Sequence, residues 1–142
     1  MFKKILYPTA FEKFHQDVLG CITNLKAIGT EEIVLLYVIY MPNYPHVYDG
    51  CYLKTVNILR SLLDSKMKEA ARIVENAGIR ATARVEIGLP YQEILKVAEE
   101  EKVSLIVAGR ERKGYVGEIL VGSIADKIVR YGKTPVYIPK CP

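Results

Sequence analysis

Five apolar segments alternate with amphipathic ones along the chain. That alternation predicts an α/β three-layer sandwich, with a five-stranded parallel sheet of order 3-2-1-4-5 between two layers of helices. Two observations carry the prediction. Ile33 to Ile39 reads IVLLYVI without a polar break, as expected of a strand buried on both faces. The segments joining the apolar runs are long enough to be helical crossovers, which are right-handed and connect parallel strands.

The elements follow in order. Lys3 to Tyr7 is a short apolar strand ended by Pro8. Phe14, Val18, Cys21, Ile22, Leu25 and Ile28 then recur on one helical face, with Gly29 as the stop. After the second strand, the Tyr- and Pro-rich stretch from Tyr40 to Tyr52 is too broken for regular structure. A long helix follows, with Leu59, Leu63, Met67, Ala70, Val74 and Ala77 one turn apart and Gly78 at its end. Ile79 to Ile87 alternates and is β-branched, and Gly88-Leu89-Pro90 turns it into a helix carrying Tyr91, Ile94, Leu95 and Ala98. Ser104 to Ala108 is the fourth strand. A loop from Gly109 to Gly122, a helix from Ser123 to Tyr131 and a last strand, Val136 to Ile138, complete the chain.

Bulk properties narrow the function classes. A length of 142 residues suits one domain, residues 1–142, with half the residues apolar and a quarter charged. No window approaches the roughly 18 uninterrupted apolar residues of a membrane span. Met1-Phe2-Lys3-Lys4-Ile5 has no signal region, so a cytoplasmic location is expected, with no membrane partner. A net charge of +4 is too mild to argue for nucleic acid. The scattered Cys21, Cys51 and Cys141 form no C-x-x-C pair, which argues for buried or idle thiols against a zinc site or a disulfide framework. His15 and His46 are the only histidines. Asp49 and Cys51 near His46 do not make up a metal ligand set. Tyr40, Tyr44, Tyr48 and Tyr52 recur every four residues, but Pro42 and Pro45 make a packed lid or partner surface the better reading than a stacking platform.

Open α/β sheets bind ligands at the carboxyl ends of their strands. Here that edge holds Pro8-Thr9-Ala10, Val38-Ile39-Tyr40, Gly88-Leu89-Pro90 and the Gly109 to Ser123 loop. The loop leaves a buried strand through Gly109 and enters a helix through Gly122-Ser123, and Ser123 to Asp126 fits a capping box. A glycine entry, a helix N-terminus and a hydroxyl suit a phosphate. A plain strand-to-helix loop with Ser123 as its cap fits the same residues.

Taken together, three motifs carry a resemblance. They are Lys3-Lys4-Ile5-Leu6-Tyr7-Pro8-Thr9, then Gly88-Leu89-Pro90-Tyr91-Gln92-Glu93-Ile94, then Gly109 with Gly122-Ser123 and Pro135-Val136-Tyr137-Ile138. In order and spacing, from residue 3 to 139, the chain resembles the universal stress proteins. The resemblance implies a Rossmann-like, adenine nucleotide alpha hydrolase-like fold. It implies no required cofactor, with ATP or AMP as the ligand class of one branch. By position, the base would meet Pro8, Thr9, Ala10 and Val38. The phosphates would meet Gly109, Arg110, Arg112, Gly122, Ser123 and Ile124.

Two positions depart from that branch. Ala10 stands where its members carry an acid, and Arg112 where they carry a second glycine. A side chain there fills phosphate room or forbids a positive φ. Arg110, Arg112 and Lys113 also make the loop basic, with Glu111 the only acid among them, so direct grip on phosphate competes with Arg112 filling an emptied site. Three functions follow: a nucleotide- or anion-binding sensor, a ligand-free regulatory module, or an enzyme. The sequence offers no nucleophile beside a base and no paired carboxylates at the strand ends, which disfavours the enzyme. Ala10 also argues against a phosphoacceptor receiver domain. The resemblance further implies a homodimer through Val136, Tyr137 and Ile138.

Overall fold

A computed structural model describes residues 2–9, 15–41, 50–108, 111–113, 118–120 and 123–139; for residues 15–18, 51, 52, 111–113, 118–120 and 123 it describes the backbone alone. The elements are β1 (Lys4–Pro8), α1 (His15–Thr23), a 3-10 turn (Asn24–Ile28), β2 (Glu32–Tyr40), α2 (Gly50–Asn76), β3 (Arg80–Gly88), α3 (Pro90–Glu100) and β4 (Leu105–Val107). They continue with β5 (Glu111–Lys113), β6 (Glu118–Leu120), α4 (Ser123–Tyr131) and β7 (Val136–Tyr137). The central sheet is all parallel, in the order β3-β2-β1-β4-β7. Because β7 is its fifth strand, this is the expected 3-2-1-4-5 Rossmann-like topology.

Side chains alternate across the pleat, so β1, β2 and β4 each feed two cores. Ile5, Tyr7, Ile33 and Leu35 pack with Leu19, Ile22, Leu63, Met67 and Val74 of α1 and α2. Leu6, Val34 and Leu36 pack with Ile94, Val97, Ala98 and Ile128 of α3 and α4. Burial on both faces is why β2 shows no polar break. Each such Leu or Ile contributes roughly 2 kcal/mol of apolar burial.

Several expectations need correction. Ile28 was expected on the buried face of α1, but it is 54% exposed. The helix tightens into the 3-10 turn at Asn24, whose shorter period rotates Ile28 outward. Gly29 then closes the turn at φ 98°, a conformation that favours glycine. Leu59 is 41% exposed, because the buried face of α2 centres on Val56, Leu63, Met67, Ala70 and Val74, about 60° away around the helix. Within the Tyr40 to Tyr52 stretch, Tyr40 ends β2 and α2 begins at Gly50, past the last proline; residues 42–49 lie outside the described ones. Cys21 is disulfide-bonded, not an idle thiol. Sequence spacing reports only local cysteine pairs, whereas folding joins cysteines far apart in the chain. The side chains of Cys51 and Cys141 lie outside the description. Finally, the stretch after β4 is no plain loop, since β5 and β6 form an antiparallel ribbon with Arg112 opposite Ile119.

On the α3 side, α3 packs over β2 and reaches the margin of β3, where the pleat carries charge. Arg84 pairs with Glu86 at 2.6 Å, Glu100 at 3.0 Å and Glu101 at 3.2 Å. Lys4 donates to Glu101 at 3.0 Å and lies 3.7 Å from Glu32. Burial by itself would lower the Arg84 pKa, but the hydrogen bonds and charges of Glu86 and Glu100 together raise it. The hydrogen bond from Lys4, aided by Arg84 and opposed by burial, holds the Glu101 carboxyl below its usual range. A depressed carboxyl contributes stability above its unfolded pKa and loses it as the pH falls through the folded one. We therefore expect Glu101→Gln to lower unfolding free energy by about 1 kcal/mol at neutral pH. That gap should close as the pH drops below the ordinary carboxylate range. Urea unfolding of both proteins along a pH series checks this, and a gap that does not change with pH would exclude the ion pair as its source.

Candidate functional site

Strand order reverses at β1, which pairs with β2 on one side and β4 on the other. Crossovers from β1 and β2 place their helices on one face, and those from β3 and β4 place theirs on the other, so the helices part above the carboxyl ends of β1 and β4. The edge is also stepped. Pro8 lies opposite Leu36, and Thr9 N–H donates to Leu36 O at 2.7 Å. From there β2 runs on for four residues to Tyr40, paired with β3 as far as Gly88. The β2–β3 pair thus stands roughly 13 Å above the ledge formed by β1 and β4.

Expected site residues fall on this step. Pro8 ends β1, and Thr9 is buried beside it. Val38 is half-buried on the overhanging wall, packed against the α3–α4 core. Ile124 is exposed in the first turn of α4, which starts at Ser123 at the far side of the ledge. Ala108 closes the ledge at the end of β4, with its N–H donating to Tyr137 O at 2.9 Å. Ala10, Gly109, Arg110 and Gly122 lie outside the described residues. Arg112 and Ser123 are placed by backbone alone, so the expectation that the Arg112 side chain closes over the phosphate region also falls outside them. The expected reach of Asp126 back to Ser123 finds a competing contact, since Asp126 Oδ2 accepts from Arg130 Nε at 3.0 Å, one turn on.

Two residues at this edge escaped the sequence reading. Met41, 1% exposed, donates its N–H to Gly88 O at 3.1 Å and locks the top of the wall. No pattern announces it, because it follows the strand at the start of an irregular stretch. Glu93 is visible in the Gly88-x-Pro90-x-x-Glu93 spacing, but its role is not. Its carboxylate folds back over Gly88, where a Cβ would lie 2.7 Å from Glu93 Oε1. Gly88 also has φ 153°, a backbone conformation that favours glycine whatever the Glu93 side chain does. Glu93 Oε2 is otherwise unpartnered and buried, and Lys96 Nζ lies 2.8 Å from it, an ion pair poorly aligned for a hydrogen bond. That contact with Glu93, partly offset by desolvation, raises the Lys96 pKa. Tyr91 completes the α3 end, 6.1 Å from the Tyr131 ring and under the Lys127 ammonium at 4.9 Å, tying α3 to α4.

Among the described residues, no cluster of three or more His, Cys, Asp or Glu could hold a metal ion, and no helix is long and apolar enough to cross a membrane. The arrangement offers a hydrophobic wall, a ledge and a helix start. These are the parts for binding a flat, charged small molecule.

Known proteins share this architecture. Universal stress protein MJ0577 of Methanocaldococcus jannaschii is 28% identical over 99% of this chain and 96% of its own. A universal stress protein of Methanothermobacter thermautotrophicus is 29% identical over 97% and 95%. The solved structure of MJ0577 superposes with a TM-score of 0.81 at 30% identity, covering 97% of this chain and 95% of that one. Two more distant structures share the fold: a universal stress protein in complex with cAMP (18% identical, TM-score 0.67, 99% and 98% covered) and one from Archaeoglobus fulgidus in complex with dAMP (15%, 0.64, 97% and 98%). The model of the universal stress protein family matches residues 1–140. The chain belongs to the universal stress protein family.

Proposed function

We propose that this protein is a cytoplasmic, non-catalytic regulatory module that pairs with itself and takes an adenine nucleotide weakly, at the β1–β4 ledge. The stepped edge carries the reading. The wall at Val38 suits a base, and the ledge from Thr9 toward the start of α4 suits the sugar and phosphate. The cAMP and dAMP complexes of two proteins with this fold support the ligand class. The basic Arg110, Arg112 and Lys113 supply charge for a phosphate. The Cys21 disulfide weighs against the cytoplasmic setting, because a reducing cytosol keeps most thiols free. The second reading, a ligand-free module, is favoured by Ala10 and Arg112, which stand where nucleotide-binding members carry an acid and a glycine.

Titration calorimetry with AMP, cAMP and ATP tests the ligand. We expect ATP to bind with a Kd on the order of 100 μM or weaker, about −5.5 kcal/mol. Replacing Ala10 by Asp and Arg112 by Gly together should tighten it. Low-micromolar ATP binding by the wild type, or no response to the double change, would overturn the placement of the site.

Pairing is proposed through β7. It is an edge strand of two residues, and Tyr137 spends its carbonyl on Ala108 of β4. Val136, and by alternation Ile138, therefore turn their backbone groups outward. Pro139 has no N–H and ends the ladder early, so side chains must supply most of the interface. Tyr137 is 41% exposed, and Val129, 58% exposed, lies on the flank of α4 turned away from α3. Covering such apolar groups drives association. At low micromolar concentration, light scattering coupled to size exclusion should report a dimer for the wild type. It should report a monomer for Ile138→Asp, since burying an unpaired carboxylate costs several kcal/mol. A variant that keeps the dimer mass would move the interface elsewhere.

A further inference from the structure

The opposite edge of the sheet is longer and differently armed. β3 pairs with β2 through all nine of its residues and, among the described residues, has no neighbouring strand on its other side. Arg80 N–H donates to Glu31 O at 2.9 Å, and Gly88 O accepts from Met41 N–H. In a parallel ladder this fixes the alternation: even-numbered residues bond to β2, and Ala81, Ala83, Val85 and Ile87 turn their N–H and C=O groups outward. Arg60 of α2 covers part of that row, with its Nη2 donating to Val85 O at 2.9 Å. Beside the first half of the strand runs a shallow groove of about 530 Å³, lined by Glu32, Glu75 and residues 78 to 82. Such an edge is a template for another strand.

The side chains indicate whose strand it is. We propose that β3 pairs antiparallel with β3 of a second copy of this chain, about a two-fold axis through Ala83. In that register Ala81 faces the partner's Val85, and Ala83 faces its own copy. Each of these pairs exchanges both of its N–H···O bonds. On the face that carries charge, Arg80 stands opposite the partner's Glu86, and by symmetry Glu86 opposite the partner's Arg80. The Arg80 side chain is 76% exposed, with a 3.5 Å contact to Glu32. Among the described residues, Glu86 is engaged through its Oε1, by Arg84. Moving the axis by one residue puts Arg80 opposite the partner's Arg84, or Arg84 opposite its own copy, both repulsive. Arg60 must leave Val85 O before the ladder closes, so the contact is weak and acts as a latched second interface. Together with pairing through β7 it would join dimers into longer sheets, because two different two-fold edges do not close on each other.

Sedimentation velocity from about 10 μM to about 1 mM tests this, weak contacts being visible only at the upper end. In an Ile138→Asp background we expect a monomer at the low end and a dimer at the high end. Arg80→Glu should raise the concentration needed at least about tenfold, as two opposed like-charge pairs require. Arg80→Glu combined with Glu86→Arg should restore it, and Arg60→Ala should lower it by freeing Val85 O. A chain that stays monomeric at the high end in the Ile138→Asp background, or a charge swap that restores nothing while remaining folded, would overturn the proposal. Should Glu86→Arg fail to fold, the opposite shifts of Arg80→Glu and Arg60→Ala still decide. A wild-type mass that falls with Arg80→Glu but not with Ile138→Asp would remove the β7 reading and leave this one standing.

Discussion

The fold turns on the position of β1, which shares its hydrogen bonds with β2 on one side and β4 on the other. Every crossover in a parallel sheet is right-handed. Building outward from β1 in one direction and then in the other therefore sends α1 and α2 to one face and α3 and α4 to the other. The two cores, the parted helices above β1 and β4, and the bare outer strands β3 and β7 all follow from that one reversal. A sheet wound in a single direction would have neither the ledge nor two such different edges.

Coverage by helices then decides where polar groups can sit. Under α3 and α4 the middle of β1 and β2 presents Leu6, Val34 and Leu36 on this face, each fully buried, while Lys4 and Glu32 stand at the strand starts, where water reaches them. One strand further out, the same face of β3 carries Thr82, Arg84 and Glu86. Charge is tolerated there because water reaches it and because Arg84 gathers three carboxylates. The same residues lie next to the outer edge. Their arrangement therefore serves the monomer through internal pairs, while Arg80 is left largely exposed.

The carboxyl edge shows a related division. Its rigid half is the β2–β3 wall, held by nine paired positions, by Met41 on Gly88, and by Glu93 folded over the glycine. Its other half is the β4 exit, where the chain makes the β5–β6 ribbon before returning into α4. The two halves are held differently, the wall by a continuous ladder and the β4 exit by a short ribbon in which Arg112 stands opposite Ile119.

The sequence by itself determined the fold class, because burial on both faces forces unbroken apolar runs such as Ile33 to Ile39, and the helical period marks each crossover. It also marked the motifs of the family, since glycine at 88 answers to a local backbone need. What the tertiary structure alone decided lies in contacts between residues far apart in the chain. The exposure of Leu59 depends on which way α2 rolls on the sheet, and the bond at Cys21 depends on which cysteine folding brings near. Directly after Gly109 the sequence shows a basic run, but the pairing of β5 with β6 depends on a partner strand five residues on. Periodicity reports how a segment meets a generic apolar surface; it carries no record of which surface, at what rotation, or what lies across the edge.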